Sequence, residues 1–327
     1  MKLLIVSTMK PMIEGFIIEQ YNAVRSWQHL RLKPEIVIFG DDFGVSDFCR
    51  RYKIRNIPSV KKNKKDVPLV SDIIEQAYTL CDDSTYVAYI NADILLLDDF
   101  CDNLEAFDRA FPNVKSCLLT AIRFDTFKFR KLNFRKNEGK QWKSEVTNNF
   151  IGKPATADGI DLFVHKKGNY SNMPDFAVAR LMFDTWMLDY AIKYFEVVVN
   201  LTDTVKIWHH LGDWYQNGKV VARDWNRLEK IMDLESVVEN NILGGSVTYN
   251  LITHCPFSSY REGQIKFKCN IPGTVNELIQ YIKEYYGEEV SKYLGLFEWI
   301  ETLSHRAVGN LITEIKTKIK QRQANLV

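Results

Sequence analysis

Three groups of residues have the types and spacing to do chemistry. The first is Asn91-Ala92-Asp93. It closes a run of apolar and aromatic residues, Tyr86 to Ile90, preceded by the polar cluster Cys81-Asp82-Asp83-Ser84-Thr85. That pattern predicts a strand buried on both faces. Polar groups at the carboxyl end of such a strand sit where α/β sheets bind ligands. Alternate residues of an extended chain share a face, so the Asn91 amide oxygen and the Asp93 carboxylate are expected in one crevice. Hard oxygen donors there suit Mg²⁺ or Mn²⁺ carrying a diphosphate. The same residues would also make a plain strand end whose Asp caps the next turn.

The second group is Asp184 with Trp186, at the start of a helix predicted from near Phe183. A carboxylate in a first turn is favoured by the helix dipole, which lowers its pKa. Facing a crevice it would be a fixed general base; otherwise it is an ordinary N-terminal helix residue. Trp186 could stack on a sugar ring. The third group is the segment Val205 to Trp214, which holds His209, His210, Asp213 and Trp214. Neutral imidazole is a common ligand of divalent metals. In an extended backbone only one of two adjacent histidines can face the crevice, and His209 is the one expected there.

The elements that must position these groups follow in chain order. Strands are predicted at 3–8, 35–39, 86–90, 115–120 and 196–201, with 156–164 running from loop into strand. Helices are predicted at 13–30, 45–52, 69–81 and 99–110. That alternation predicts a doubly wound α/β sheet. Thr8 ends the first strand. Asp41 and Asp42 follow the second, where a carboxylate could meet a ribose or base, or Asp42 could cap the helix starting near Val45. Asp72 lies in a helical first turn, and Asp98 or Asp99 is expected to cap the helix after the central strand. Asp158 and Asp161 lie on the segment entering the 156–164 strand.

Two stretches are basic. Lys61-Lys62-Asn63-Lys64-Lys65 reads as a solvated loop or a phosphate-neutralising lid. Between Lys128 and Lys143, basic residues interleave with Phe129, Phe134 and Trp142. Such a mixture could hold a sugar face or a diphosphate, or be an insertion anchored by its aromatics. With 43 basic and 41 acidic residues the net charge is +2, which gives no general argument for nucleic acid. Six scattered cysteines without a CxxC pair predict reduced thiols and a reducing compartment. The apolar part of MKLLIVSTMK is too short for a signal peptide, and no run has transmembrane length. A cytoplasmic protein is therefore expected, and the sequons at Asn169 and Asn200 are expected to be idle.

Taken together, these segments resemble the GT-A type nucleotide-sugar glycosyltransferases, and more narrowly a group of bacterial and viral glycosyltransferase-like proteins. The pieces that carry the resemblance are FGDDFGV (39–45), VPLVSD (67–72), YINADILLLDDF (89–100), DGIDLFV (158–164), PDFAVARLMFDTWML (174–188) and VKIWHHLGDW (205–214). A weaker piece is NNILGGSVTYNLITH (240–254). Together they cover about residues 3–255, in order.

The resemblance implies a GT-A mixed sheet over 1–257 with a mainly helical extension over 258–327. It implies transfer of a sugar from a nucleotide-diphosphate sugar to a glycan or glycolipid acceptor, helped by one Mn²⁺ or Mg²⁺ ion. Asn91-Ala92-Asp93 stands where such enzymes carry an Asp-X-Asp motif, so Asp93 would be the main metal ligand and His209 would complete the site. Asp184 stands where inverting enzymes carry their base. Thr8, Asp41, Asp42 and Asp72 fall on the donor side; Asp158, Asp161, Trp186 and Asp213 fall on the sugar and acceptor side. The chain departs from the group at Gly212, where a second histidine is usual.

A nucleotidyltransferase on a related fold would need an N-terminal Gly-rich phosphate loop. After Thr8 this chain reads MKPMIEGF instead. A non-catalytic binding protein on the same scaffold is the other alternative, kept open by Asn91 and Gly212. In the tail, a helix over about 290–322 with Val308, Leu311, Ile312, Ile315 and Ile319 on one face and lysines on the other would suit packing, self-association or an anionic membrane.

Overall fold

The central strands are buried on both faces because helices cover both. In a computed structural model, β1 (Lys2–Thr8) pairs in parallel with β4 (Thr85–Ile90) on one side and β2 (Glu35–Phe39) on the other. The structure describes residues 1–14, 16–126, 130–135, 140–156, 159–210, 215–216, 219–220, 234–244, 252 and 255–269. Side chains of β1 and β4 alternate between two cores. Leu3, Ile5, Tyr86, Ala88 and Ile90 enter one; Leu4, Val6, Val87 and Tyr89 enter the other. The first core is closed by α1 (Ile17–Gln28), α2 (Val45–Tyr52) and α4 (Asp98–Ala110), the second by α3 (Val70–Thr79) and α6 (Phe183–Tyr194). This is the doubly wound α/β arrangement that the alternation of elements predicts.

The main sheet has nine strands in the order β15-β14-β10-β6-β9-β4-β1-β2-β3. Here β3 is Arg55–Ile57, β6 Cys117–Thr120, β9 Leu162–Lys166, β10 Val197–Asn200, β14 Phe257–Glu262 and β15 Gln264–Cys269. Only β9 and β15 run antiparallel to their neighbours. The chain leaves β1 toward β2 and β3 on one side, and β4 lies on the other. The ends of β1 and β4 therefore flank the point where winding reverses, which is where such sheets bind ligands.

A second sheet, β5-β11-β7-β8, stands beyond those ends. It consists of β5 (Ile94–Leu95), β7 (Arg123–Thr126), β8 (Gly152–Pro154) and β11 (Ile207–His210). A satellite core of Leu95, Leu132, Phe134, Trp142, Val146, Phe150 and Trp208 backs it, with α5 (Lys140–Asn149). Phe134 and Trp142 of the basic stretch are thus spent as anchors. β8 crosses close to β7 at Gly152, where a Cβ would meet the Asp125 carbonyl oxygen at 2.8 Å and Trp208 at 2.9 Å. A short hairpin, β12 (Tyr215–Gln216) and β13 (Lys219–Val220), and α7 (Leu234–Gly244) complete the described elements.

Several expectations change. β14 and β15 extend the main sheet to Cys269, so the boundary at 257 falls on a strand; β14 pairs with β10 and β15 returns as a hairpin. The C-terminal helices lie outside the described residues. Neither expected aspartate cap forms. α2 is preceded by Gly44 in the left-handed region and α4 by Leu97, with no side-chain cap on either. Asp99 is used otherwise: its carboxylate accepts from the amides of Phe100 and Lys206, both at 2.9 Å, tying α4 to the approach to β11. Among the described residues no helix is long and apolar enough to cross a membrane.

Candidate active site

The turn after β4 is held from behind by α1. Trp27, fully buried, donates its indole N–H to the Ile94 carbonyl at 2.9 Å, and Ser26 Oγ accepts from the Leu96 amide at 3.1 Å. The strand stops at Ile90, and residues 91–94 turn, with the Ile94 amide on the Asn91 carbonyl at 3.0 Å. The strand alternation expected to align Asn91 with Asp93 does not reach them. Asn91 instead donates its amide to Asp161 Oδ1 at 2.5 Å, while Asp93 faces His209.

The small sheet supplies the other side. Parallel pairing of β7 and β11 places His209 opposite Asp125. His209 Nδ1 lies 2.8 Å from Asp125 Oδ1, and the same oxygen accepts from Arg123 Nε at 3.0 Å. Arg123 Nη1 reaches Asp161 Oδ2 at 2.8 Å. One chain of contacts therefore runs from His209 through Asp125, Arg123 and Asp161 to Asn91. His209 Nε2 points to Asp93 Oδ2 at 4.0 Å, and Lys10 Nζ lies 3.4 Å from that same oxygen.

Electrostatics fix the protonation pattern. Burial alone would push the Asp125 carboxyl up, but His209 and Arg123 outweigh it and hold it below the usual range. Burial likewise opposes ionisation of Asp93, and the charges of Lys10 and His209 overcome it. Both acids are ionised at neutral pH and can only accept. His209 must then donate from Nδ1 to Asp125, which leaves Nε2 toward Asp93. Burial pushes the imidazole down, and the bond to Asp125 with the charges of Asp93 and Asp161 more than restores it. In its deprotonated form His209 would turn a lone pair toward that carboxylate oxygen, and the two could hold a cation between them.

Asp184 sits in the first turn of α6, as expected, but burial rather than the helix dipole rules it. Its carboxyl is pushed up to about 6 by burial, against the Thr185 amide at 2.8 Å, with the charge of Asp161 adding to the rise. Tyr89 lies below. Its hydroxyl is raised first by burial and then by the charges of Asp161, Asp184 and Asp93.

The loop entering Asp184 is strained. Ala179, Leu181 and Met182 have φ of 55°, 65° and 67°. Left-handed backbone costs a non-glycine residue roughly 1–2 kcal/mol. The compensation comes from Asn240 of α7, buried to 1% exposure. Its Oδ1 accepts from the Ala177 amide at 2.8 Å, and its Nδ2 donates to the carbonyls of Ala177 and Leu181 at 2.9 and 3.0 Å.

The other expected residues make contacts of their own or lie outside the described residues. Thr8 ends β1, half-buried and in register with Phe39. Asp41 is exposed and pairs with Lys62 at 3.1 Å, which holds its carboxyl below the usual range; burial pushes that of Asp42 up. Asp72 is spent on structure, accepting from the Lys61 amide at 2.8 Å and Gln76 at 2.7 Å. The lysine run is tied down in part, Lys61 to Asp72, Lys62 to Asp41 and Asp66, and Lys65 to Glu235. Trp186 has one face stacked on Tyr190, centroids 4.7 Å apart and planes 19° apart, and packs on Phe176. Asp158, Asp213 and Gly212 lie outside the described residues, and so does the His210 side chain.

Four participants escape the sequence reading: Lys10, Arg123, Asp125 and Asn240. Arg123-Phe124-Asp125 does carry a signal, two polar residues flanking an aromatic at strand spacing just after a buried strand. Nothing local marks Lys10 or Asn240.

No protein-family model matches the chain, and no curated protein matches its sequence. Solved structures with a similar chain path include S. aureus TarS 1–349, at 10% identity and TM-score 0.46, covering 90% of this chain and 75% of that one. The same TarS fragment in complex with UDP-GlcNAc aligns at 11% identity and TM-score 0.45, over 88% and 74% of the two chains. A CMP:2-keto-3-deoxy-manno-octonic acid synthetase complexed with CTP aligns at 11% identity and TM-score 0.36, over 72% of this chain and all of that one. Likenesses of this size describe the path of the chain and carry no chemistry with them.

Proposed function

We propose that this chain is a glycosyltransferase that moves a sugar from a nucleotide-diphosphate sugar to a hydroxyl of a glycan or glycolipid, aided by one divalent ion. The observation that carries this reading is the facing pair Asp93 Oδ2 and His209 Nε2, 4.0 Å apart at the winding reversal of the sheet. Ligands of an octahedral ion with bonds of about 2.1 Å stand roughly 3–4 Å apart. Among the described residues no group of three His, Cys, Asp or Glu could hold a metal. Two protein ligands suit Mg²⁺ or Mn²⁺, which take phosphate and water oxygens for the rest. The Asp125–His209 bond is the support that a metal-bound histidine ordinarily has.

Asp93 and His209 would hold the ion, which would stabilise charge on the departing diphosphate. Asp184 would take the proton of the acceptor hydroxyl as its oxygen bonds to the anomeric carbon. The bond from that carbon to the diphosphate oxygen breaks, and its electron pair leaves with the diphosphate. A carboxyl lifted to about 6 is ionised at neutral pH yet basic enough to share a proton, as general bases require. One base and one displacement invert the anomeric carbon.

The test is a screen of nucleotide-sugars for hydrolysis and thermal stabilisation of the purified chain, with Mn²⁺ and with chelator, beside Asp93→Ala. Response to one donor that needs both metal and Asp93 supports the reading. A donor bound equally well with chelator and by the variant would point to a binding protein or a metal-free site.

A further inference from the structure

The crevice is crowded with negative charge before any donor arrives. Asp93 and Asp125 flank His209, and Asp161 is joined to Asp125 through Arg123; Asp184 adds its charge to those of Asp161 and Asp93 at the Tyr89 hydroxyl. A diphosphate brings more. Among the described residues, the cations that meet these carboxylates are Lys10, Arg123 and, when protonated, His209. Arg123 is committed, with Asp125 at 3.0 Å and Asp161 at 2.8 Å. Lys10 is held differently. Its ammonium is half-exposed, meets Asp93 at a long 3.4 Å, and lies 5.3 Å from the centre of the Phe16 ring. The contact is long and its lysine end is half in solvent, so the ammonium is not locked to that carboxylate.

The main chain of Lys10, by contrast, is fixed. Gln20, only 2% exposed, accepts from the Lys10 amide at 2.6 Å and donates to the Lys10 carbonyl at 3.0 Å. A buried side chain thus clamps the backbone while the side chain of Lys10 stays half-exposed. The clamp stands just past β1, and Asp93 stands just past β4, on the two sides of the winding reversal.

We propose that Lys10 is the protein's own cation for the donor's diphosphate. In the free protein its ammonium rests on Asp93; when the donor enters, it moves from that carboxylate to the phosphate oxygens, with Gln20 positioning it. This deepens the glycosyl-transfer reading and rests on it. As the bond from the anomeric carbon to the diphosphate breaks, the released electron pair stays on the diphosphate oxygen, and the ammonium keeps all its protons and balances that charge. A lysine suits the task as a mobile point charge, where a guanidinium would lock onto two carboxylates as Arg123 does.

The test is calorimetric titration of the full chain with UDP, GDP, CDP and ADP in Mn²⁺ at low salt. The nucleotide that binds is then compared as diphosphate and monophosphate on wild type, Lys10→Met and Lys10→Arg. Lys10→Met is expected to weaken the diphosphate by about tenfold or more and the monophosphate by less than about threefold, with Lys10→Arg between wild type and Lys10→Met. The Gln20 bonds run to the main chain, so the melting temperature of Lys10→Met should stay that of wild type. Equal diphosphate affinity for wild type and Lys10→Met would overturn the role of Lys10 and leave the donor site standing. So would equal losses for diphosphate and monophosphate. A wild-type protein that takes none of the four nucleotides would overturn both.

Discussion

The two walls of the crevice are built to opposite standards. On the small sheet, Arg123, Asp125 and His209 are joined by contacts of 2.8–3.0 Å, and each group is oriented by the next. At the strand ends, Asp93 meets His209 at 4.0 Å and Lys10 at 3.4 Å, neither a close contact. One wall is closely bonded, and the other is held by longer contacts. A ligand that must be exchanged each turnover belongs on the loose wall, and the groups that orient it belong on the rigid one.

The largest expected effect comes from the α6 carboxylate outside both walls. Asp184→Asn keeps the shape and removes the proposed base, so the proposed transfer should fall by about 10²–10⁴-fold while donor affinity stays. Single-turnover kinetics separate the two. The pH dependence has a definite sign. Asp184, lifted to about 6, must be ionised to work, so wild-type rate should drop as pH falls through 6. Stability runs the other way. The folded carboxyl binds its proton more tightly than the unfolded one at its ordinary 3.8, so ionisation opposes folding. Asp184→Asn should therefore melt above wild type at pH 7.5, with the gap closing as pH falls from 6 toward 4.

Next comes the support of the base. Asn240→Ala removes three hydrogen bonds from the strained 177–182 loop and should cost about 2–3 kcal/mol in denaturant melts, with a matching loss of turnover. Asp125→Asn should weaken Mn²⁺ binding about tenfold, because His209 loses the partner that sets its tautomer. Paramagnetic titration of Mn²⁺ reads this directly, and an unchanged affinity would detach His209 from the metal. The smallest effect concerns Asp41, whose pairing with Lys62 is at the surface. Asp41→Asn should leave the melting temperature unchanged, and any loss of nucleotide affinity would mark it as a donor contact.

The sequence shows the main sheet well, because its strands are apolar runs and its helices carry long stripes. The small sheet leaves little trace. Its four short strands come from distant parts of the chain, and β5 and β8 show no periodicity of their own. That is why Asp125 and Arg123 escape notice while His209, their partner, is legible from the rule that one of two neighbours faces inward. Asn91 teaches the converse. Strand alternation places it beside Asp93, but the chain turns after Ile90, and the amide goes to Asp161. Asp184 is legible as a helix-start acid, yet its carboxyl is governed by burial, and the loop leading to it is held by Asn240 from a distant segment. Asp72, an acid at the expected place, accepts from the Lys61 amide and Gln76, contacts that the sequence does not mark.

The most direct test is a crystal of the chain grown with Mn²⁺ and the nucleoside diphosphate that stabilises it best, read by anomalous scattering. The account predicts a manganese peak between Asp93 Oδ2 and His209 Nε2, at about 2.0–2.3 Å from each, with the diphosphate on its open side. Nucleotide bound in the crevice with no peak there, or with manganese held elsewhere, would contradict it.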